Sequence, residues 1–285
     1  MRLPGPDHPA PAKLNLFLHV VGRRADGYHL LQSVFTLIDR ADTLRFRVRD
    51  DGEVHRVHAL DGVPEDTDLA VRAARLLREA AGTRLGADIE LVKRIPMGGG
   101  LGGGSSDAAT TLMALDRLWA TALGPARLRE LGASLGADVP FFLFGENAWV
   151  EGVGERLQPI RLPPQWYVVL VPPVHVPTPL VFAAPELTRN TETLKMADFS
   201  ATSGRGRFRN DLEPVVASRY PEVRAHLAWL AQRGEARLTG SGGCVFAAFE
   251  RREAAQQVLD QLPASMQGFV AQGLDHHPLR EVSKE

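Results

Sequence analysis

Near the start of the chain, apolar and polar residues alternate with a period of two. Leu14, Leu16, Leu18 and Val20 interleave with Lys13, Asn15, Phe17 and His19. That pattern predicts a strand with Lys13 and Asn15 on the face opposite the leucines. The polar run 22–27 ends it as a loop, and the Pro- and Gly-rich residues 1–10 are expected to fray. A second strand is predicted over 32–38 and a third over 43–49. In the third, Leu44, Phe46 and Val48 alternate with Arg45, Arg47 and Arg49. The arginine row reads as the wet face of an antiparallel sheet rather than as a phosphate-binding stripe.

The period then becomes helical. Leu69, Ala73, Leu76 and Leu77 predict a helix over 68–81, capped by Asp68 or Thr67 and ended by Gly82. Ile89 and Leu91 between Asp88 and Glu90 predict another strand. Leu112, Leu115, Leu118 and Trp119 predict a helix beginning near Ser106 or Asp107, and a further helix runs from Pro125 to its stop at Gly136. Asp138, Val139 and Pro140 lie just past that stop. Pro159, Pro163 and Pro164 punctuate the middle of the chain and place a domain boundary there, giving domains 1–160 and 161–285. In the second half, strands are predicted over 166–171, 235–239, 244–249 and 269–272, and helices over 221–232 and 251–261. Strands and helices mix without strict βαβ alternation, so the fold class is α+β in both halves.

Composition narrows the function classes. The 285 residues suit about two domains. The 33 Lys+Arg against 34 Asp+Glu give a net charge of −1, which supplies no general attraction to nucleic acid. No apolar run approaches a membrane span, and the first residues lack the apolar core of a signal peptide. The single cysteine, Cys244, excludes an intrachain disulfide and favours a reducing compartment, the cytoplasm. Cys244 reads as a packing residue, and the histidines, His276 and His277 included, show no metal-ligand spacing. The expected partners are small molecules, not nucleic acid or membrane, with monomer and homodimer both open. Glycine is in modest excess: 27 residues, where average usage gives about 20.

Much of that excess is local. Pro96, Met97, Gly98, Gly99, Gly100, Leu101, Gly102, Gly103, Gly104, Ser105 and Ser106 form a glycine loop between a predicted strand and a predicted helix. Without Cβ atoms, backbone N–H groups can approach a ligand closely. The helix N-terminus adds unpaired donors and a positive dipole end, which together suit phosphate. No lysine follows Gly104, so the loop is not a Walker A motif, and no βαβ context supports a dinucleotide fingerprint. Ser105 and Ser106 can add hydroxyl contacts to phosphate or Mg²⁺. The segment 239–243 is a second, weaker glycine loop, read as lying on the substrate side.

Residues 96–109 resemble the second motif of the GHMP kinases, the family of galactokinase, homoserine kinase and mevalonate kinase. Further agreement comes from Pro11-Ala12-Lys13-Leu14-Asn15, Asp26-Gly27-Tyr28-His29, Gly136-Ala137-Asp138-Val139-Pro140, Pro177-Thr178 with Phe182, Asn210-Asp211-Leu212-Glu213 and Thr239-Gly240-Ser241-Gly242-Gly243. The nearest resemblance is to the branch that phosphorylates the 2-hydroxyl of a diphosphocytidyl methylerythritol, in the non-mevalonate route to isoprenoids. Another acceptor of the family, homoserine, a mevalonate-like acid or a sugar, is the alternative. The resemblance implies ATP and Mg²⁺, an N-terminal domain like ribosomal protein S5 domain 2 and a ferredoxin-like C-terminal domain. It also implies Lys13 and Asp138 as the catalytic pair, Tyr28 and His29 holding the cytosine, and Phe182 stacking on it.

The residue chemistry fits these roles. A carboxylate within about 3 Å of a hydroxyl can accept its proton as phosphoryl transfer proceeds. An ammonium beside a carboxylate favours its ionised form, and Lys13 is the natural candidate. Asn15, on the same strand face, is placed to hydrogen-bond substrate.

Overall fold

The structure, a computed structural model, describes residues 2–199 and 208–281. The chain opens on two long antiparallel strands, β1 (His8–Arg23) and β2 (His29–Arg49). Then come β3 (Val54–Arg56), α1 (Leu69–Ala81), β4 (Gly86–Val92), α2 (Gly103–Leu118), α3 (Gly124–Leu135), α4 (Val139–Phe144), β5 (Ala148–Gly152) and β6 (Arg156–Pro159). The second half comprises β7 (Trp166–Leu170), α5 (Thr178–Phe182), α6 (Glu213–Arg219), α7 (Pro221–Ala231), β8 (Arg237–Leu238), β9 (Val245–Phe249), α8 (Arg252–Asp260), β10 (Gly268–Leu274) and α9 (Pro278–Glu281).

β2 organises the sheet. One edge pairs with β1 along nearly its whole length; the other takes β5, β10 and β4 in turn. β10 pairs with both β2 and β7, so the strands of the two halves are joined edge to edge. One apolar cluster lies under α1 to α4, with Leu77, Leu112, Leu115, Phe141 and Phe142 against Leu37, Leu44 and Ile89. A second lies between β7 and β9 and helices α6 to α8. A third, with Leu14, Phe17, Val34 and Ile38 against Tyr167, Val169 and Phe246, packs the first half onto the second.

Several expectations are corrected. Residues 8–10 are strand, and Leu3 is buried with its N–H donated to Glu90 Oε2 at 2.6 Å, so the start is tied down rather than frayed (Met1 lies outside the described residues). The strands expected at 32–38 and 43–49 are one. The polar stretch between them looks like a turn, but Asp39 accepts the Gln272 N–H and Asp42 is buried against Lys93. Third, the register of β1 shifts between Asn15 and Phe17, leaving Leu16 as a bulge. A bulge exchanges the faces of a strand. Phe17 therefore joins Leu14 in the third cluster, while Leu18 and Val20 join the second.

The arginine row is ion-paired rather than simply wet. Arg45 pairs with Glu90, and Arg47 and Arg49 with Asp88, all across the β2–β4 ladder. The helix expected near Ser106 begins earlier, at Gly103, with Gly102 as an N-cap that has no side chain to offer. Among the described residues no helix is long and apolar enough to cross a membrane.

Candidate active site

Two cavities meet at the glycine loop. The smaller, about 380 Å³, is lined by Gly98–Gly104, Lys93, Asp68 and Asp107. The larger, about 750 Å³, runs from Lys13, Asn15 and Asp138 to Tyr28, His29 and Phe182. Gly100, Gly102 and Ser105 line both. A group lying on the loop is thus reachable from either side. At this shared rim α2, sixteen residues long, begins. The N–H groups of Gly103, Gly104 and Ser105 are its unpaired first-turn donors.

The loop is held by backbone. Lys13 N–H donates to Leu101 O at 3.0 Å, and Cys244 N–H donates to Gly99 O at 3.1 Å. The second glycine loop presses against the first: a Cβ on Gly100 would strike Thr239 O, and one on Gly242 would strike Gly100 N. Gly100 also sits at φ +81°, where a side chain is strained. Part of the glycine run therefore serves loop-on-loop packing rather than ligand approach. Gly100→Ala is expected to cost about 1–3 kcal/mol and to raise KM for a nucleotide triphosphate, read by thermal melting and steady-state kinetics.

The two serines differ. Ser105 is half-buried at the rim. Ser106 is fully buried, its hydroxyl donated to Pro11 O at 2.7 Å and its N–H to Gly102 O at 2.9 Å, so both donors are spent inside the fold. Successive helix residues point about 100° apart, and only one of two adjacent serines can face the cavity.

Lys13 and Asp138 come together although 125 positions separate them. The Lys13 ammonium lies 3.4 Å from Asp138 Oδ2 and donates to Asn15 Oδ1 at 2.5 Å, over the Phe35 ring at 4.7 Å. Lys13 is buried, while the Asp138 side chain keeps 33% exposure on the cleft. Asp138 is not a free loop residue: it is the N-cap of α4, a helix that the apolar run Val139–Phe144 did not signal. Its carboxylate makes no cap hydrogen bond, so the oxygens remain available to the cleft. Asn15 is fixed by Thr239 Oγ1, which accepts its N–H at 3.0 Å, and by Ser33 Oγ, 3.2 Å from its amide nitrogen.

At the far end of the larger cavity, Tyr28 is exposed at 65%, on a turn where its N–H donates to Asp26 Oδ1. His29 and Phe182 stack with ring centroids 5.0 Å apart and planes 33° apart. Burial, then the Arg189 and Arg23 cations, hold His29 below the usual histidine range. Arg189 escaped the sequence reading because it lies in a polar, aperiodic segment. Gly240 and Ser241 of the second loop line the same cavity, with Thr178 Oγ1 and Ser241 Oγ 2.6 Å apart. Cys244 is buried, and burial pushes its thiol up to about 12. Among the described residues no cluster of three or more His, Cys, Asp or Glu is arranged to hold a metal.

Known proteins resemble this chain in sequence and fold. The model of the GHMP kinases N terminal domain matches residues 68–146, and that of the GHMP kinases C terminal region matches 184–268. A 4-diphosphocytidyl-2-C-methyl-D-erythritol kinase of Thiobacillus denitrificans is 66% identical, covering 97% of this chain and 98% of its own length. One of the same name from Nitrosospira multiformis is 58% identical, over 97% of this chain and 94% of its own. A crystal structure of a 4-(cytidine 5'-diphospho)-2C-methyl-D-erythritol kinase superposes with TM-score 0.82 at 38% identity, covering 94% of this chain and 99% of that one. A mevalonate kinase shares the fold at TM-score 0.73 and 15% identity, over 95% of this chain and all of its own. With these full-length relatives and both halves of the family present in order, the chain belongs to the GHMP kinases.

Proposed function

We propose that this chain transfers the γ-phosphoryl group of ATP to the 2-hydroxyl of 4-diphosphocytidyl-2-C-methyl-D-erythritol, a step in the non-mevalonate route to isoprenoid precursors. The relatives at 66% and 58% identity carry the name of that activity. The observation that carries the reading is the common rim of the two cavities, with Lys13 and Asp138 on its acceptor side. ATP would lie in the smaller cavity, its phosphates on the N–H groups of Gly103, Gly104 and Ser105. The acceptor would fill the larger one.

Phosphoryl transfer depends on positioning and electrostatics more than on covalent help from the protein. Asp138 would take the hydroxyl proton. The Lys13 ammonium would orient that carboxylate and offset charge gathering on the transferring oxygens. Asn15 positions the ammonium and offers its amide to the acceptor. Mg²⁺ takes oxygen ligands, mostly from phosphates and water, and spreads the charge of the triphosphate; Ser105 is the rim side chain that fits it. Residues 1–160 would form the nucleotide-binding domain and 161–285 the second. The lone cysteine suits a reducing compartment, and we place the reaction in the cytoplasm.

The base end would be read by Tyr28, His29 and Phe182. Stacking on an aromatic ring contributes about 1–3 kcal/mol per base. Phe182→Ala is therefore expected to raise KM for the cytidyl acceptor about tenfold, with KM for ATP unchanged. CDP should compete with the acceptor and not with ATP. Absence of CDP competition in the parent protein would refute a cytidine pocket.

A further inference from the structure

We infer that Arg189 is a positioning residue for base recognition, one that fixes the tautomer of His29 and anchors the backbone of Phe182, whose ring lies against His29. The inference rests on the cytidine pocket proposed above. The Arg189 guanidinium makes four hydrogen bonds, with all three nitrogens engaged. Its Nε donates to His29 Nε2 at 3.1 Å. Its Nη1 donates to Leu187 O at 3.0 Å, and its Nη2 to Phe182 O at 3.0 Å and Ala184 O at 2.6 Å. One side chain thus ties the C-terminal end of α5, which carries Phe182, to the first residue of β2.

The bracket is itself anchored. Two residues on, Thr191 N–H donates to Val20 O at 3.1 Å, and its hydroxyl to Asp211 Oδ2 at 2.6 Å. Asp211 also accepts the Val20 N–H at 2.9 Å. The segment that carries Arg189 is therefore pinned to β1, the strand that carries Lys13 and Asn15.

A guanidinium has donors only. His29 Nε2 must then accept, and a neutral imidazole carries its one proton on the other nitrogen, Nδ1. Protonated His29 would set N–H against N–H. Arg189 therefore leaves His29 one free polar atom, and makes it a donor. Cytosine presents acceptors at N3 and O2, whereas uracil carries a hydrogen on N3. Both bases offer O2, so a donor of fixed position suits cytosine and opposes uracil where it is directed at N3. The charged groups facing His29 are Arg189 from the segment after α5 and Arg23 from the end of β1. Asp26, on the adjoining turn, is paired with Arg24 at 2.7 Å.

The test uses the full chain with Arg189→Met and Arg189→Lys, and Phe182→Ala as the control for the pocket. Nitrogen-15 NMR of the parent should show His29 protonated at Nδ1 and not at Nε2. Arg189→Met should raise KM for the cytidyl acceptor about tenfold, the effect of losing one well-placed hydrogen bond, and leave KM for ATP unchanged. The acid limb of kcat/KM should move up toward 6.5, the ordinary histidine value. Lysine cannot reproduce the planar fork, so Arg189→Lys should rescue little. A purely structural role would lower melting temperature and weaken both substrates without moving the acid limb. Such a result, or a parent His29 protonated at Nε2, overturns the inference. If Phe182→Ala weakens CDP while Arg189→Met does not, the pocket stands and the Arg189 role falls. If neither variant affects CDP, the pocket itself is wrong.

Discussion

Asp138→Asn is expected to lower kcat by about 10²–10⁴-fold, the usual worth of a positioned general base. An amide has nearly the same shape but cannot take a proton at neutral pH. The variant should fold, because the Asp138 side chain caps nothing and lies partly open to the cleft. The amide oxygen of the new residue can still accept from Lys13, which also keeps Asn15 as a partner. KM for ATP should stay close to the parent value, since the smaller cavity does not include Asp138. Coupled measurement of ADP release reads both constants. A variant retaining more than a tenth of parental kcat would remove Asp138 from the proton transfer.

The second large effect falls on stability. Lys93 stands between two buried carboxylates, Asp42 and Asp107, with Asp107 Oδ2 at 2.7 Å. Asp42 Oδ1 accepts the N–H groups of Arg94 and Ile95, so this cluster fixes the entry to the glycine loop. Burial pulls the Lys93 ammonium down, but Asp107 and Asp42 more than offset that and hold it above the usual lysine range. Lys93→Met would leave Asp42 buried without its cation. Breaking a buried pair in this way costs about 3–5 kcal/mol, a fall in melting temperature on the order of 10 °C for a chain of this size. A fall of under about 3 °C would mean that water reaches the cluster and replaces the ammonium.

Asp107 gives the same cluster a pH signature. Burial pushes its carboxyl up from 3.8 to about 8; Lys93 opposes the shift and the Asp42 charge adds to it. The folded chain then keeps a proton that the unfolded chain releases near 3.8. Its contribution is full below that value and is lost as pH rises through about 8. Asp107→Asn removes the titration, so its melting temperature relative to the parent should climb between pH 5 and 8. A constant difference across that range would contradict the shift.

How far the sequence reveals this site varies with the kind of signal. Helix α1 is legible because Asp68 caps it and Gly82 ends it in the left-handed region. The glycine loop is legible because its composition is extreme. The alternation in β1 is legible only to Leu16, since a bulge leaves no mark on hydrophobicity. α4 is hidden because six apolar residues with a proline suit several conformations. Ser105 and Ser106 are alike as letters and differ only by the turn of the helix. Thr239 and Ser33 each reach Asn15, and Arg189 reaches His29, through hydrogen bonds that span more than a dozen positions, a relation that no local period records.

The central claim is that one phosphoryl group crosses the shared rim, from ATP to an acceptor held by its cytidine. The most direct measurement is turnover of purified protein with ATP and Mg²⁺ across a panel of acceptors. The panel sets the diphosphocytidyl methylerythritol beside plain methylerythritol, homoserine and mevalonate. The account predicts stoichiometric ADP and a singly phosphorylated product with the cytidyl acceptor, and turnover at least about a hundredfold lower with the rest, as the loss of a stacked and hydrogen-bonded base requires. Equal or faster turnover of an acceptor without cytidine would contradict it.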